Sequence, residues 1–227
     1  MGSDKEQAVV FDGVFAAGDD GDILHGVSFS LARGEKAALT GPSGAGKSTV
    51  LAAMLGFRPP RAGSIWVHGM ELTEGTVGAI RRSLTFVFQE PVLGADTVRE
   101  ALLLPFSFRA YRGARPSEAV LARALADVAL SPAILQKRTD VLSGGEKQRL
   151  ALARGLLLGH SLCVLDEISS ALDAASKATV YQTLSRPELT VLAVSHDAAW
   201  LDRCDRIITL TEGHVRPPAP VTAPAHC

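Results

Sequence analysis

The chain has 227 residues, which is enough for one large domain or for a core with a small appended lobe. Its formal net charge is −1, so no broad basic footprint predicts nucleic acid as a partner. Its three cysteines are far apart, which disfavours a disulfide framework and a zinc site; Cys163, in an apolar run, is predicted to be a buried small residue.

Residues 8–40 are predicted to be rich in β-strands. Ala8–Phe11 is a short apolar run, and Val27–Leu31 alternates apolar and polar residues as a half-buried strand does. A third strand, Lys36–Thr40, leads directly into the first motif with a chemical meaning. Turns between the first two strands are predicted at Gly13, Gly18 and Gly21.

Gly41–Ser48 fits the pattern G-x-x-x-x-G-K-[ST] of the phosphate-binding P-loop and precedes a helix predicted over Ser48–Leu55. Backbone N–H groups surround the phosphates of a nucleotide at such a helix N-terminus. We predict that Lys47 reaches the β- and γ-phosphates and that the Ser48 hydroxyl coordinates Mg²⁺. The alternative, a glycine turn with a surface lysine, would not require this position between a strand and a helix. The nucleotide-binding residues predicted here are Gly41, Pro42, Ser43, Gly44, Ala45, Gly46, Lys47, Ser48 and Thr49.

The middle of the chain changes character twice. Ser64–His68 and Thr85–Phe88 are predicted strands, whereas residues 91–142 are rich in Ala, Leu and Arg. Prolines separate the predicted helices of this stretch, which we interpret as a helical lobe inserted into an α/β core. Helical spacing is seen in the apolar residues Val120, Leu121, Ala124, Leu125 and Val128.

Leu142–Glu146 opens a further predicted helix that continues to Arg154. Ser143 is a suitable N-cap residue, and Glu146 three positions later completes a capping box. A helix N-terminus also attracts anions, because its N–H groups and the helix dipole favour negative charge. The segment is therefore either an anion site or only a well-capped helix.

Strands and helices alternate again after residue 161. The apolar strand Leu162–Leu165 ends in two carboxylates, which resembles the Walker B motif. We predict that Asp166 holds Mg²⁺ through water and that Glu167 polarises the attacking water as a general base. The alternative is a solvated acidic turn.

The last part of the domain is predicted to complete a sheet. A helix begins near Ala174 and extends to Leu184, and strands are predicted over Thr190–Val194 and Arg206–Leu210. Apolar strands that alternate with helices predict a largely parallel sheet covered on both faces. Residues 216–227 are rich in Pro and Ala, which predicts a disordered tail.

The P-loop, the Walker B-like strand and Ser143–Arg149 together resemble those of ABC (ATP-binding cassette) ATPase subunits, and the resemblance covers roughly residues 8–215. It implies an α/β fold: a P-loop NTPase core with a mixed, largely parallel sheet, an N-terminal antiparallel β subdomain and an α-helical subdomain inserted at about residues 91–142. It also implies a single domain over residues 1–215.

The resemblance implies roles for residues outside the P-loop. Gln89 matches the Q-loop glutamine, which senses the γ-phosphate through Mg²⁺ and water, so it joins Ser48 and Asp166 as a predicted metal-side residue. His196 matches the switch histidine that contacts the γ-phosphate. Alternatively, Gln89 is an ordinary loop glutamine, and His196 is a histidine at the end of a strand with no contact to nucleotide. The catalytic residues predicted in this way are Lys47, Gln89, Glu167 and His196.

Two further matches concern the nucleotide. Phe15 is the candidate for the aromatic side chain that stacks on adenine, and the alternative is a core phenylalanine. Asp173 ends a segment, Ser170–Asp173, that matches the D-loop, which crosses the dimer interface in the family. There, the segment matching Ser143, Gly144 and Gly145 receives the γ-phosphate of ATP held by the opposite subunit. The resemblance therefore implies a homodimer that forms on ATP binding, with ATP and Mg²⁺ as cofactors.

The implied function is that of the ATP-hydrolysing subunit of an ABC transporter, peripheral on the inner, cytoplasmic face of the cell membrane. The polar start lacks the apolar core of a signal peptide, and no apolar run approaches the roughly 18 residues that span a bilayer. We therefore expect the permease to be a separate chain. Its contact surface is predicted around Gln89–Arg109, where Phe106 and Phe108 are either apolar anchors or core residues of the lobe.

A finer resemblance concerns the cargo. Most cassettes have Pro-Thr after the Walker B glutamate, whereas this chain has Ile168-Ser169. With Ser143–Arg149, this looks like the small bacterial iron-export-type cassettes, which implies metal export. The alternatives are the ATPase subunit of an ABC importer and a non-transport ABC ATPase. A non-transport ATPase of DNA repair would carry a long coiled-coil insertion, and the interval between Lys47 and Ser143 leaves no room for one.

Overall fold

The computed structural model describes residues 6–18, 21–111, 113–167 and 172–216. These residues form ten β-strands: β1 (Gln7–Gly18), β2 (Gly21–Ala32), β3 (Lys36–Thr40), β4 (Ala62–Val67), β5 (Met70–Glu71), β6 (Leu84–Val87), β7 (Leu162–Asp166), β8 (Thr190–Val194), β9 (Arg206–Thr211) and β10 (His214–Arg216). They also form seven α-helices: α1 (Lys47–Met54), α2 (Val77–Arg82), α3 (Val98–Leu103), α4 (Glu118–Ala126), α5 (Gly144–Leu156), α6 (Ala174–Leu184) and α7 (Ala198–Leu201). Three short 3₁₀ helices cover Leu104–Ser107, Arg109–Tyr111 and Pro132–Gln136.

A four-stranded antiparallel sheet with the order β2-β1-β4-β5 forms the N-terminal part, as predicted. The turn predicted at Gly13 is wrong. Gly13 lies inside β1, where the pairing with β2 shifts between Phe11 and Val14. Its φ of 59° and its N–H bond to Ser28 Oγ, 2.8 Å long, form a β-bulge that keeps the strand continuous.

A six-stranded sheet with the order β10-β9-β3-β8-β7-β6 forms the core. Its strand pairs are parallel except β9 with β10, so the predicted mixed, largely parallel sheet is confirmed. Leu39 of β3 and Asp166 of β7 both lie opposite Val194 of β8, and Val87 of β6 lies opposite Leu165. The carboxyl ends of four strands therefore meet at one edge of the sheet.

Residues between β6 and α5 form the helical lobe. Pro105 lies in a 3₁₀ helix directly after α3, because proline cannot continue the hydrogen-bonding pattern of the α-helix. Pro132 is the first residue of another 3₁₀ helix, a position where its missing N–H is not needed. Most of the apolar face predicted for α4 is buried, but Val120 is 48% exposed. The buried residues of the lobe pack with α5 in one apolar cluster that includes Val98, Leu102, Leu121, Leu125, Val128 and Leu150.

Several short elements and one boundary of the chain could not be predicted from the sequence patterns. β5, α2, α7 and β10 were not predicted: the two helices are shorter than two turns and the two strands have only two and three residues, too few to show a period. Arg216 is the last residue of β10, one residue beyond the predicted domain boundary, and the predicted tail over 217–227 lies outside the described residues. Among the described residues, no helix has both the length and the apolar character needed to cross a bilayer.

The prediction for Cys163 is confirmed. The residue is fully buried in β7, and burial raises the pKa of its thiol to about 12. A thiol in that environment stays protonated and acts as a small apolar residue.

Candidate active site

The candidate site lies at the edge of the core sheet where β3, β6, β7 and β8 end. The P-loop follows β3, and Gln89 follows β6 by two residues. Asp166 is the last residue of β7, Glu167 comes directly after it, and His196 follows β8 by two residues. Ligands of open parallel sheets bind outside the carboxyl ends of the strands. Four predicted segments that are far apart in the chain are therefore brought to one place.

Two glycines of the P-loop are required by their surroundings. At Gly41, with φ of 142°, an added Cβ would overlap the carbonyl oxygen of Leu210 in β9. At Gly46, with φ of 98°, it would meet Leu24 and Ile23 of β2 at 2.9 and 3.0 Å. Gly44 also has a positive φ but faces open space. The loop is thus closely packed on the protein side and open on the side where phosphates would bind.

Lys47 begins α1 and is almost fully buried. Its ammonium donates to the carbonyl oxygens of Gly41 and Pro42 at 2.8 and 2.9 Å. An ammonium group has three N–H donors, so one remains for a phosphate oxygen. The side chain therefore holds its charge at the P-loop instead of extending into solvent. Ser48 is exposed beside it, and Thr49 is half-buried.

Asp166 and Glu167 are half-buried at the end of β7. The pKa of Asp166 is raised, first by burial and second by the charge of Glu167, whereas the charge of Lys47 lowers it. The three charged groups therefore interact across the site. Glu167 has a left-handed backbone with φ of 50°, and its N–H donates to the Val194 carbonyl at 3.1 Å. Non-glycine residues in this conformation cost free energy and cluster at functional sites.

The oxygen donors of the site fit a magnesium ion. Mg²⁺ prefers hard oxygen ligands and is often held by one or two carboxylates together with substrate phosphates. Ser48, Asp166 and Gln89 offer a hydroxyl, a carboxylate and an amide oxygen. Of the residues described, no three or more His, Cys, Asp or Glu side chains are grouped to hold a metal alone. A cation at Asp166 would offset the raised pKa of this carboxyl.

Gln89 is exposed, and its side-chain Nε2 donates to Glu167 Oε2 at 3.2 Å. The carboxylate can only accept, so the amide nitrogen must face Glu167 and the amide oxygen must face away from it. One amide can thus contact the predicted general base and still present an oxygen to a cation. A cleft of about 540 Å³ between Gln89–Val92 and the first turns of α5 adjoins this contact.

His196 is exposed in a braced loop. Ser195 before it is buried and donates from its N–H to the Leu39 carbonyl at 3.4 Å. Asp197 after it caps α7 and forms an ion pair with Lys177 of α6; the hydrogen bond from Lys177 lowers the pKa of Asp197. The imidazole therefore projects from fixed neighbours on both sides.

Asp173 caps α6. Its carboxylate accepts from the Ser176 N–H at 2.9 Å and from the Ser176 hydroxyl at 2.7 Å, and these bonds lower its pKa. Both oxygens are thus used within its own helix. The rest of the predicted D-loop and the Ile168-Ser169 pair lie outside the described residues.

The capping box predicted at α5 is confirmed. The Ser143 Oγ accepts from the Glu146 N–H at 3.2 Å, and the Glu146 carboxylate accepts from the Ser143 N–H at 2.9 Å. This backbone hydrogen bond is the main cause of the lowered pKa of Glu146. Ser143 and Gly144 are exposed, and an added Cβ at Gly144 would meet nothing within 4 Å. The helix N-terminus is therefore open to a ligand from outside the chain.

The aromatic candidates lie outside the buried core. Phe15 is 37% exposed in β1, beside the strand residues that pack on the P-loop, and its ring lies over Gly26. Phe108 is 59% exposed, and Phe106 is half-buried against Tyr111. All three rings therefore have accessible faces.

Two side chains of α5 that sequence analysis did not single out contact the segment after β6. Gln148 Nε2 donates to the Gln89 carbonyl at 2.6 Å, and the Arg154 guanidinium donates to the Leu93 carbonyl at 2.8 Å. The available signal was weak: Gln148 is a polar residue at helical spacing from Gly145 and Leu152, which are on the buried face of the helix.

Comparison with known proteins gives consistent matches. The model of the ABC transporter family matches residues 24–170. The chain is 36% identical over 195 residues to the "Probable iron export ATP-binding protein FetA" of Escherichia coli (strain K12), with 84% of this chain and 85% of that protein covered. It is 34% identical over 223 residues to the "Mycobactin import ATP-binding/permease protein IrtB" of Mycolicibacterium thermoresistibile, but spans only 37% of that protein.

Among solved structures, the chain is similar to a dimeric, post-hydrolysis state of the ATP-binding cassette MJ0796 bound to ADP and Pi. The TM-score is 0.82 at 28% sequence identity, with 92% of this chain and 97% of that chain covered.

Proposed function

The chain belongs to the ABC transporter family as an ATP-binding, ATP-hydrolysing subunit, and we propose that it works as a homodimer that powers a separate membrane permease from the cytoplasmic face. The observation that carries the proposal is the meeting of the P-loop, Gln89, Glu167 and His196 at one edge of the core sheet. A phosphate cradle, a carboxylate base and two polar sensors are the parts that ATP hydrolysis needs.

Hydrolysis follows from these side chains. The P-loop N–H groups and Lys47 hold the β- and γ-phosphates. Ser48, Asp166 and Gln89 would hold Mg²⁺, which would supply positive charge to the phosphate oxygens. Glu167 accepts a proton from water while the water oxygen attacks the γ-phosphorus and the bond to the ADP oxygen breaks. His196 donates to the γ-phosphate, which orders the attacked group.

The dimer follows from the open N-terminus of α5. This helix of 13 residues presents Ser143 and Gly144 to solvent, and its N–H groups suit an anion. ATP of a second copy fills that position, so Ser143, Gly144 and Gly145 complete the partner's site. The Ser143 hydroxyl, which contacts Glu146 at 3.0 Å, exchanges that contact for the phosphate.

The permease docks on the helical lobe, on the surface over Gln89–Arg109. Val92 is 84% exposed and Phe108 is 59% exposed, and exposed apolar side chains of this size are available to a protein partner. Gln89 connects this surface with the site, so docking and hydrolysis affect one another.

Metal export, with iron as the cargo, is supported by the identity to FetA and by the Ile168-Ser169 pattern. The similarity to a mycobactin importer supports import as the second candidate.

Purification from host membranes tests the assignment. We expect the tagged chain to bring down an integral membrane protein and the reconstituted complex to move iron away from the ATP-containing side of proteoliposomes. Iron uptake toward that side would identify an importer, and ATPase activity without iron movement would contradict iron as the cargo. The Glu167→Gln complex is the matched inactive control.

Phe15→Ala tests the adenine contact. Because the ring is exposed and lies outside the core, we expect weaker ATP binding by roughly 1–3 kcal/mol, the contribution of one base–aromatic stack, with little loss of stability. Nucleotide titration and thermal unfolding of one variant measure both quantities. Unchanged affinity in a folded variant would exclude Phe15 as the stacking residue, and Phe11→Ala is the control for a buried ring of the same strand.

A further inference from the structure

Gln148 is a buried polar side chain that links two functional segments. It is 4% exposed on α5, the helix whose N-terminus begins at Ser143, and its Nε2 donates to the main-chain carbonyl of Gln89 at 2.6 Å. The side chain of the same Gln89 donates to Glu167 at 3.2 Å. Two consecutive hydrogen bonds therefore connect α5 with the carboxylate at the end of β7.

The amide group of Gln148 has a hydrogen-bond partner for its nitrogen but not for its oxygen. Its Oε1 is buried, and no donor among the described residues reaches it. A buried acceptor without a hydrogen bond destabilises the folded state, so an apolar side chain of the same length would suit this position better on stability alone. A polar residue that breaks this rule points to a function.

Another side chain of α5 already holds the segment that follows β6 in place. Arg154, further along α5, donates to the carbonyl oxygens of Leu93 and Val92 at 2.8 and 3.4 Å. Arg154 thus fastens the segment a few residues after Gln89, whereas Gln148 acts on Gln89 itself.

We propose that Gln148 is a positioning residue for ATP hydrolysis. It fixes the main chain of Gln89, so that the amide nitrogen of Gln89 faces Glu167 and the amide oxygen faces the cation. Because the buried residues of the lobe pack against α5, a movement of the lobe that shifts α5 is passed through Gln148 to Gln89 and Glu167. This inference rests on the proposed role of Glu167 as the base.

Gln148→Met separates this role from a structural one. The thioether side chain is equally long but cannot donate, and it removes the unsatisfied Oε1. We expect kcat to fall about tenfold, the rate equivalent of one lost hydrogen bond, with KM for ATP unchanged. The midpoint of thermal unfolding is expected to stay equal or rise. Wild-type kcat, or a raised KM at unchanged kcat, would overturn the proposal.

Arg154→Met is the matched control, because it releases the same segment without touching Gln89. We expect it to lower thermal stability more than kcat. If both variants lose kcat in proportion to stability, Gln148 is structural and the proposal is wrong. If Gln148→Met does not fold, Gln148→Asn serves in its place, since its amide is one methylene too short for the 2.6 Å bond.

A double-mutant cycle shows whether Gln148 acts through Gln89. In a Gln89→Ala background, Gln148→Met should have no further effect on kcat, because the side chain that it positions is gone. An additional tenfold loss there would contradict the proposal. Failure of the proposed function is distinct, since it would appear as normal turnover in Glu167→Gln.

Discussion

Glu167→Gln is expected to bind ATP as the wild type does and to hydrolyse it about 10²–10⁴-fold more slowly, the usual cost of losing a general base. Glutamine has nearly the same size, and its amide oxygen can still accept from Gln89 Nε2. The backbone contact of residue 167 with Val194 and the P-loop contacts of Lys47 do not involve the substituted group. The variant therefore removes the proton acceptor and leaves the phosphate cradle.

Single-turnover hydrolysis and equilibrium binding of ATP measure the two quantities separately. Glu90→Gln is the matched control: it removes an exposed carboxylate next to Gln89 and should keep normal turnover. Wild-type turnover in Glu167→Gln would rule out Glu167 as the base, and loss of ATP binding would show that the residue serves binding instead.

ATP is expected to convert the Glu167→Gln variant from monomer to dimer. Each ATP would lie between the P-loop of one copy and Ser143–Gly145 of the other, and slow hydrolysis keeps it there. Within one chain, the hydrogen bonds of Ser143 go to its own helix, to Glu146 and Lys147, which leaves the exposed N-terminus available to a second copy. Sedimentation with and without ATP measures the change.

Gly144→Glu in the same background supplies the control. An added side chain at Gly144 meets nothing within 4 Å in the single chain, and an acidic residue suits the first turn of a helix. The monomer should therefore fold normally, whereas the added negative charge should repel the γ-phosphate and prevent dimerisation. A Glu167→Gln variant that stays monomeric with ATP, well above micromolar protein concentrations, would count against a stand-alone homodimer.

Predictions from local sequence patterns are confirmed where a few neighbouring residues decide the structure. β3 and β8 have the predicted bounds, and the Ser143–Glu146 capping box forms as the spacing indicates. The turn predicted at Gly13 is wrong, because a glycine with positive φ suits a β-bulge as well as a turn. The choice between them depended on Ser28 of the neighbouring strand.

The sequence by itself determined the fold class, the position of the P-loop between β3 and α1, and the capped start of α5. The last two depend on the order and spacing of residues within about ten positions, since glycine conformations and caps are local. The fold class followed from several such motifs and periodic segments along residues 8–215 and from their resemblance to the ABC ATPases. Only the tertiary structure decided that Gly41 must be glycine because Leu210 lies against it, and that Gln148 reaches Gln89 and Gln89 reaches Glu167. These contacts join residues 59 to 169 positions apart, so they exist only once the strand order and the packing of α5 bring the segments together.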